Sequence, residues 1–284
     1  MAPVVAVIAP GMMGAGVGKR LADNGVKVLT SLKGRSQETV ARAKQCGIID
    51  ASDSEIAAAD FILSILPPGD ALALAERFAA ALKVSNAKPV YVDCNAINPK
   101  TVERVAAAIA PTGCLFVDAG IIGSPPKPGD AGPRLYASGP AAQRFAALHD
   151  YGLDIRVLGG PLSNASALKM SYAGITKGTQ AIGAAMMLAA TRAGTADDLL
   201  KELQSSQKEM FAWFNRGLSL MPPKAYRWIA EMHEIAGFVG EDPSARELYE
   251  GAAHFYEHMA KDFDGDKKDV AALMDFLGKG QANG

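Results

Sequence analysis

The chain has 284 residues, and its 29 lysines and arginines against 30 aspartates and glutamates leave a formal net charge of −1. At about 150 residues per domain this length predicts two domains, and the neutral balance argues against a broad nucleic-acid-binding surface. The three cysteines and four histidines show no zinc-site or disulfide-framework spacing, which predicts no metal and a reducing, cytoplasmic compartment. No apolar run is long enough to predict a membrane span.

Short apolar runs alternate with helical patterns through the first half of the chain. Seven runs are predicted as buried strands: Val4–Ala9, Val26–Ser31, Phe61–Leu66, Pro89–Asp93, Leu115–Asp118, Leu135–Ser138 and Asp154–Leu158. Four helices are predicted between them: Gly14–Asn24, Gln37–Gln45, Ala71–Leu82 and Pro99–Ala110. Continuous apolar strands that alternate with helices are typical of a doubly wound parallel sheet of the Rossmann type.

The pattern changes near Gly159-Gly160-Pro161, after which no strand is predicted. A long helix is expected to open at Ser163 or Asn164 and to run to about Arg192. Four further helical segments follow: Ala196–Leu218, Ala225–Phe238, Ser244–Phe263 and Lys267–Leu277. The predicted fold class is therefore an α/β Rossmann-type doubly wound parallel sheet in residues 1–160, followed by an all-α C-terminal domain in residues 161–284.

The turn after the first strand resembles a dinucleotide-binding fingerprint. It reads APGMMG from Ala9 to Gly14, so that two of the three glycines of GxGxxG are present. Gly11 would let the backbone approach a pyrophosphate, and Gly14 would allow close packing of helix on strand. We predict cofactor contacts at four residues: Gly11, Met12, Met13 and Gly14. The alternative is a tight packing turn that binds no ligand.

The second strand ends without the carboxylate that NAD sites usually carry there. The segment Ser31–Ser36 reads SLKGRS and offers two cations, Lys33 and Arg35. An arginine presents a planar fork that suits a phosphate. The pattern favours NADP(H) over NAD, with Ser31, Lys33, Arg35 and Ser36 around the 2′-phosphate. The alternative is that both cations are solvated loop charges.

These motifs together resemble the β-hydroxyacid dehydrogenase and 6-phosphogluconate dehydrogenase superfamily. The segments that match its motifs are Ala9–Gly14 for GLGxMG, Ile62–Pro67 for the fourth strand, Asp93–Ala96 for DxST, Asp118–Ser124 for DAPVSGG, and the helix through Lys169 for GxGxxxKxxNN. The resemblance implies that Leu66 and Pro67 pass under the nicotinamide. The segment Ala167–Ala173 and the Arg227-Trp228 region resemble a variant branch with its own helical C-terminal domain.

Three polar elements of the family motifs are replaced in this chain. Asn95-Ala96 stands for the Ser-Thr pair, Ile122 for the serine of SGG, and Tyr172-Ala173 for the Asn pair after the lysine. In relatives these polar groups hold the substrate carboxylate, so the resemblance implies a substrate of a different, more apolar shape. Six residues are predicted to contact it: Asn95, Gly123, Ser124, Lys169, Tyr172 and Trp228.

The resemblance makes Lys169 the general acid/base. At about 100° per residue Lys169, Tyr172 and Thr176 share one stripe of an otherwise apolar helix. Neutral Lys169 would take the hydroxyl proton as hydride leaves for NADP+, and its ammonium would return the proton in the reverse direction. Tyr172 would orient the substrate oxygen, and Asn95 would hydrogen-bond the substrate or Lys169. The alternative is that Lys169 reaches solvent and Tyr172 packs in the core.

The leading functional prediction is an NADP(H)-dependent oxidoreductase that acts on a small hydroxy or oxo acid. An NADPH-dependent imine reductase and a non-catalytic NADP-binding protein stay open as alternatives. The long helix and the apolar helical half predict a homodimer. Residues 1–160 would then bind NADP(H), and residues 161–284 would carry substrate and dimer contacts, with no nucleic acid, membrane or metal as a partner.

Overall fold

An eight-stranded sheet forms the centre of the first of two compact units, Met1–Met170. The structure is a computed structural model and describes residues 2–282. Its strands are β1 Val4–Ile8, β2 Lys27–Thr30, β3 Ile49–Asp50, β4 Phe61–Ser64, β5 Val90–Asp93, β6 Phe116–Ile122, β7 Arg134–Ser138 and β8 Asp154–Val157. They are ordered β3-β2-β1-β4-β5-β6-β7-β8 across the sheet. The predicted Rossmann-type fold class is confirmed.

The last two strands depart from the predicted parallel sheet. Strand β7 pairs antiparallel with β6, and β8 runs parallel to β7. The reason is the connection: residues 123–133 join β6 to β7 without a crossover helix, and a parallel partner requires one. All seven predicted strands are present. The two-residue strand β3 was not predicted, because two exposed residues leave no hydrophobic pattern.

Helices cover both faces of this sheet. They are α1 Met12–Asp23, α2 Gln37–Gln45, α3 Asp53–Ile56, α4 Ala71–Val84, α5 Pro99–Ile109 and α6 Ala142–Ala146. Because successive strand residues point to opposite faces, each strand feeds two cores. Val5 and Val7 of β1 pack in one core with residues of α1, α2 and α6, whereas Ala6 and Ile8 pack in the other with residues of α4 and α5.

The second unit, Ser171–Gly284, is helical and contains no strand among its described residues 171–282. The helices after α6 are α7 Asn164–Ala173, α8 Thr179–Arg192, α9 Ala196–Ser206, α10 Lys208–Leu218, α11 Ala225–Phe238, α12 Pro243–Asp264 and α13 Lys268–Ala282. The single helix predicted over Ala196–Leu218 is two helices, because the backbone leaves the helical region at Gln207. The compact units divide inside α7, whereas the predicted domain boundary lies at residues 160 and 161.

A π-helical turn, Gly174–Gly178, joins α7 to α8. The predicted long helix is therefore continuous from Asn164 to Arg192, but its number of residues per turn changes at the π turn. A π turn holds more residues than an α turn, so a stripe drawn at 100° per residue loses its phase beyond Ala173. The buried Tyr256 supports the turn, because its Oη donates a hydrogen bond of 2.6 Å to the Lys177 carbonyl.

Replacing Tyr256 with phenylalanine is expected to lower the free energy of unfolding of the helical unit by about 1–2 kcal/mol, because it removes this bond from a buried carbonyl. Thermal unfolding followed by circular dichroism measures the loss. Tyr91→Phe is the matched control: Tyr91 is fully buried, and its hydroxyl has no hydrogen-bond partner in the described chain. An equal loss of stability in both variants would contradict the role given to the Tyr256 hydroxyl.

Candidate functional site

The turn between β1 and α1, which is the predicted phosphate cradle, brings the start of a helix close to the end of a strand. A Cβ atom at Gly14 would lie 2.1 Å from the Ala9 carbonyl oxygen, so only glycine fits this approach of helix to turn. Gly11 caps α1 without a side-chain bond, and a Cβ there would meet no atom within 4 Å. The first-turn N–H groups of a helix have no intrahelical partners and carry its positive dipole end. The space around Gly11 is open, and the pyrophosphate contacts of Gly11–Gly14 stay a prediction.

The carboxyl end of β2 holds the four residues predicted around a 2′-phosphate. Ser31 is buried, whereas Lys33 and Arg35 are exposed. Ser36 caps α2, since its Oγ accepts a hydrogen bond of 3.3 Å from the Thr39 amide. Neither Lys33 nor Arg35 forms an ion pair among residues 2–282. Both cations are therefore available to an anion at this edge of the sheet.

Two charged residues that sequence reasoning missed also reach this edge. Strand β3 pairs Asp50 with Thr30, and Asp50 Oδ1 accepts a hydrogen bond of 2.8 Å from the Leu32 amide. Arg77 of α4 donates from Nη2 to Ser31 Oγ at 2.9 Å. The segment Ser31–Ser36 itself contains no carboxylate, but Asp50 of the neighbouring strand lies at the same edge of the sheet.

The loop after β4 carries Leu66 and Pro67, which the resemblance assigns to the nicotinamide. Leu66 is half-buried and Pro67 is exposed. Asn95, buried at the end of β5, accepts from the Leu66 amide at 2.6 Å through Oδ1. Its Nδ2 donates to Ser64 Oγ at 2.7 Å and to Asp93 Oδ2 at 3.1 Å, which uses both amide hydrogens. The geometry favours Asn95 as a positioning residue for this loop, and its predicted contact with substrate stays a prediction.

The start of α7 is bound to the sheet by buried polar groups. Asp118 of β6 accepts from the Ser166 amide at 2.8 Å and from Ser166 Oγ at 2.5 Å. Ser138 Oγ accepts from the Ala165 amide at 2.9 Å. A Cβ at Gly120 would lie 2.9 Å from the Ala165 carbonyl oxygen, so this glycine allows α7 to lie directly on β6. These contacts place the first turns of α7 in the sheet-containing unit.

Lys169 reaches back to the carboxyl end of β6. Its Nζ donates a hydrogen bond of 2.8 Å to the Ile121 carbonyl, and the residue is half-buried. The exposed Gly123 and Ser124 follow directly after this strand. Gly123 has a φ of 131°, and a Cβ there would lie 3.0 Å from Pro133 Cα. Because the carboxyl ends of parallel strands meet at one edge, Lys169 lies at the same edge of the sheet as the phosphate cradle.

Arg20 of α1 fixes the loop that contains Gly123 and Ser124, a role that the sequence did not predict. Its Nη2 donates to the Lys127 carbonyl at 3.1 Å and to the Asp130 carbonyl at 3.0 Å. The same nitrogen lies 3.0 Å from Asp130 Oδ1, in an ion pair. The loop is thus bound to the helix that starts at the phosphate cradle.

The helical unit contains the remaining predicted site residues, Tyr172 and Trp228. Tyr172 is 49% exposed, which excludes the alternative that it packs in the core. The Trp228 ring packs edge-on against Tyr256, with 5.1 Å between centroids, and the Lys177 ammonium lies 5.0 Å from its centre. Lys177 also pairs with Glu231. Trp228 therefore has packing partners of its own, and its contact with substrate stays a prediction.

Comparison with known proteins decides the family. Residues 4–150, more than half of the chain, match the NAD binding domain of 6-phosphogluconate dehydrogenase. The chain belongs to this family. Residues 190–259 match DUF1932, a domain of unknown function. The resemblance inferred from the motifs is confirmed, and the second match lies within the predicted helical half.

A curated relative and a solved structure are each about 30% identical to this 6-phosphogluconate dehydrogenase-like protein. An uncharacterized 28.5 kDa protein in the 7S RNA 5′ region of Methanothermus fervidus is 30% identical over 188 residues, 66% of this chain and 70% of the relative. The solved structure of conserved protein MTH1747, described as similar to 3-hydroxyacid dehydrogenases, is 29% identical with a TM-score of 0.69, over 95% of this chain and 99% of its own.

Two more distant structures share the fold. The 3-hydroxyisobutyrate dehydrogenase of Mycobacterium tuberculosis with L-serine is 18% identical, with a TM-score of 0.66 over 96% of this chain and 99% of its own. The imine reductase of Myxococcus stipitatus with NADP+ is 16% identical, with a TM-score of 0.54 over 97% of this chain and 99% of its own. In the described part of this family member, no helix has the length and apolar character to cross a bilayer. No group of three metal-binding side chains gathers there.

The stability of this dehydrogenase-like unit is expected to fall between about pH 4 and pH 6 because of Asp118. Burial raises the pKa of this carboxyl from 3.8 to about 6. A pKa that is higher in the folded than in the unfolded chain favours folding below the unfolded value, and this contribution is lost as the pH rises through the folded value. The loss is about 3 kcal/mol, at about 1.4 kcal/mol per unit.

Urea unfolding at pH 4, 5, 6 and 7 of the wild type and Asp118→Asn measures this difference. The stability of the wild type relative to the variant should decrease as the pH rises. Asp130→Asn is the control with a flat expectation over this range. The Lys127 amide and Arg20 hold the Asp130 pKa below its ordinary value of 3.8, so the contribution of Asp130 is lost only as the pH falls below that value. A constant difference between the wild type and Asp118→Asn over this range would refute the prediction.

Proposed function

We propose that this chain is an NADP(H)-dependent oxidoreductase that transfers a hydride between the nicotinamide and a small hydroxy or oxo acid, with Lys169 as general acid/base. Membership of the NAD-binding family and the open cradle at Gly11 support a nicotinamide cofactor. The observation that carries the proposal is the position of Lys169 Nζ on the Ile121 carbonyl, at the carboxyl edge of the sheet where that cradle opens.

The cofactor supplies a hydride acceptor or donor, and the protein supplies binding, orientation and a proton. The Ile121 carbonyl orients the Lys169 amine by accepting one of its hydrogens. In the oxidising direction Lys169, when deprotonated, takes the substrate hydroxyl proton, and in the reducing direction its ammonium returns that proton to the forming alkoxide. Asn95 holds the Leu66-Pro67 loop through the Leu66 amide, which fixes the wall against which the nicotinamide would lie.

The substrate carboxylate is proposed to bind at Gly123 and Ser124, with Tyr172 orienting the reacting oxygen. The apolar residues Ala96, Ile122 and Ala173, at positions where relatives carry polar groups, support a substrate with an apolar substituent. The same replacement favours one second candidate, an imine reductase. Such an enzyme needs a proton donor, which the exposed Tyr172 hydroxyl could supply, and no carboxylate clamp.

The 2′-phosphate of NADP(H) is proposed to lie at the end of β2. Lys33 and Arg35 support this choice, since they are exposed cations without ion-pair partners among residues 2–282. Asp50 favours the opposite choice, because a carboxylate beside the Leu32 amide suits the free ribose hydroxyl of NAD. Dissociation constants for NADPH and NADH decide between them, and tighter binding of NADH would overturn the NADP(H) assignment.

A homodimer is proposed through the helical unit. Large apolar side chains along the run from α7 to α8 are strongly exposed: Tyr172, Ile175, Ile182 and Met186 are 49%, 69%, 60% and 59% accessible. Exposed large apolar side chains that lie close together along the chain are typical of an interaction surface. Light scattering at micromolar concentration is expected to give twice the chain mass, and a monomer would contradict the proposal.

A turnover screen followed by NADPH absorbance tests the activity. Its panel contains hydroxy acids with NADP+, oxo acids with NADPH, and cyclic imines with NADPH, and each acid is paired with an analogue that carries an aromatic substituent. Turnover of an acid supports the dehydrogenase proposal, with the apolar analogue expected to be preferred. Turnover of imines alone supports the second candidate. Tight NADPH binding without turnover of any member would make this chain a cofactor-binding protein rather than an enzyme.

A further inference from the structure

A groove of about 630 Å³ lies at the carboxyl ends of β2 and β3. Two cationic side chains, Lys33 and Arg77, and two carboxylates, Asp50 and Asp53, line it together with Ser31. The groove therefore has no net charge in its lining. What the groove can bind depends on which of these side chains already form ion pairs or hydrogen bonds with one another.

The guanidinium of Arg77 is hydrogen-bonded through Nε and Nη2, whereas its Nη1 faces no protein acceptor among the described residues. Its Nε donates to Asp53 Oδ2 at 3.1 Å, and its Nη2 donates to Asp53 Oδ1 and to Ser31 Oγ. Both hydrogens of Nη2 are thus used. Nη1 forms no hydrogen bond with any residue in the range 2–282, and the side chain is 38% exposed. Asp53 and Ser31 therefore fix the orientation of a fork whose two remaining donors are unused.

Ser31 supplies a second unused donor beside this fork. The residue is only 4% exposed, and its Oγ accepts from Arg77 Nη2 at 2.9 Å. A hydroxyl also carries one hydrogen of its own, and this hydrogen has no acceptor among the described residues. Buried polar hydrogens normally have a partner, so the geometry indicates an oxygen acceptor on a ligand. Lys33, two residues along the chain, adds an exposed positive charge.

We propose that Arg77 is the residue that distinguishes a phosphomonoester on the adenosine ribose from a free hydroxyl, with Ser31 and Lys33 as its co-ligands. The proposal rests on the nicotinamide cofactor of the proposed function. A phosphate dianion accepts from Nη1, from the Ser31 hydroxyl and from the Lys33 ammonium, whereas a ribose hydroxyl cannot engage all three. Asp53 is a positioning residue, because it holds the guanidinium rather than the ligand. Asp50 opposes an anion, which makes discrimination depend on Arg77.

Calorimetric titration of the full chain with 2′-phospho-ADP-ribose and with ADP-ribose tests the proposal without turnover. Arg77→Gln is expected to weaken 2′-phospho-ADP-ribose binding by about 10–100-fold, as for loss of a charge-assisted hydrogen-bond pair, and to leave ADP-ribose within about twofold. Arg144→Gln is the matched control, since Arg144 is an exposed arginine of α6 outside the groove. It should bind both ligands as the wild type does.

A second variant keeps the test valid if Arg77→Gln is unstable. Lys33→Ala leaves the Arg77–Asp53 pair intact and should weaken only 2′-phospho-ADP-ribose, by about threefold to tenfold, with a shallower dependence of the affinity on salt. Equal weakening of both ligands by Arg77→Gln in a folded protein would overturn the proposal. So would equal affinity of the wild type for both ligands, although a nicotinamide enzyme would then still stand. Binding of neither ligand would refute the proposed function and this inference with it.

Discussion

Replacing Lys169 with methionine is expected to lower kcat for the acid substrate by about 10²–10⁴-fold, the usual contribution of a general acid/base. Methionine keeps the length and the apolar stem of the side chain, so the packing of α7 on β6 should persist. NADPH affinity should stay within about twofold of the wild type, because the side chain contacts the Ile121 carbonyl rather than the phosphate cradle. Steady-state kinetics with the best acid of the screen, together with NADPH titration, measures both quantities.

Lys208→Met is the matched control for this substitution. Lys208 is exposed at the start of α10, and its replacement should leave kcat and KM unchanged. The pH profile of kcat separates a proton-transfer role from a structural one. The part of the pH dependence that is due to the general acid/base should disappear in Lys169→Met and persist in Lys208→Met. Wild-type turnover of acids by Lys169→Met would refute the assignment. Survival of imine turnover alone would transfer the proton-donor role to Tyr172.

Gly14→Ala is expected to weaken NADPH binding by about 10–100-fold and to lower stability by about 1–3 kcal/mol, the usual range for overpacking. The added methyl group would lie 2.1 Å from the Ala9 carbonyl oxygen and 3.4 Å from Val7 Cγ1. Because backbone cannot give way as a flexible side chain does, the start of α1 must move away from the turn. That movement displaces the N–H donors proposed to hold the pyrophosphate.

Two further glycine variants separate binding from stability. Gly11→Ala has open space around its new methyl group and an ordinary φ of −66°, so the variant should fold with wild-type stability. Its NADPH affinity should fall, because the methyl group would occupy space proposed for the pyrophosphate. Gly251→Ala on α12 also meets no neighbour and should keep wild-type NADPH binding with slightly raised stability. Equilibrium titration and thermal unfolding of the three variants give the comparison. Wild-type NADPH affinity in both Gly11→Ala and Gly14→Ala would support the alternative of a packing turn without a ligand.

The strands were predictable because a strand that is buried on both faces of the sheet needs apolar residues at successive positions. Val4–Ala9 and Phe61–Leu66 read as strands for this reason, and β1 and β4 lie within them. Strand β3 was not predictable, because its two exposed residues are held by pairing with β2 rather than by a pattern of their own. The break at Gln207 was missed because glutamine is a good helix former. The π turn at Gly174–Gly178 was missed although its sequence GITKG holds two glycines and two β-branched residues, which are weak helix formers.

The candidate site divides in a similar way. Motif spacing predicted Gly11, Gly14 and Lys169 as candidate site residues, because a turn and a helix are local and their residues keep fixed intervals. Spacing could not identify Arg20 or Arg77, since each contacts a loop or strand end far away in the sequence. Asn95 was predicted as a site residue from its motif position, but its bonds to Ser64, Asp93 and the Leu66 amide depend on β4 and β5 lying side by side.

The sequence by itself determined the fold class and the family, because each depends on local periodicity or on short motifs with fixed spacing. Only the tertiary structure shows which charged side chains lie at the end of β2. There, pairing of β3 with β2 brings Asp50 to the Leu32 amide, and packing of α4 brings Arg77 to Ser31. Electrostatic interactions act through space between residues that no sequence interval connects. The balance of charge on which the proposed choice between NADP(H) and NAD depends is therefore a property of the folded chain.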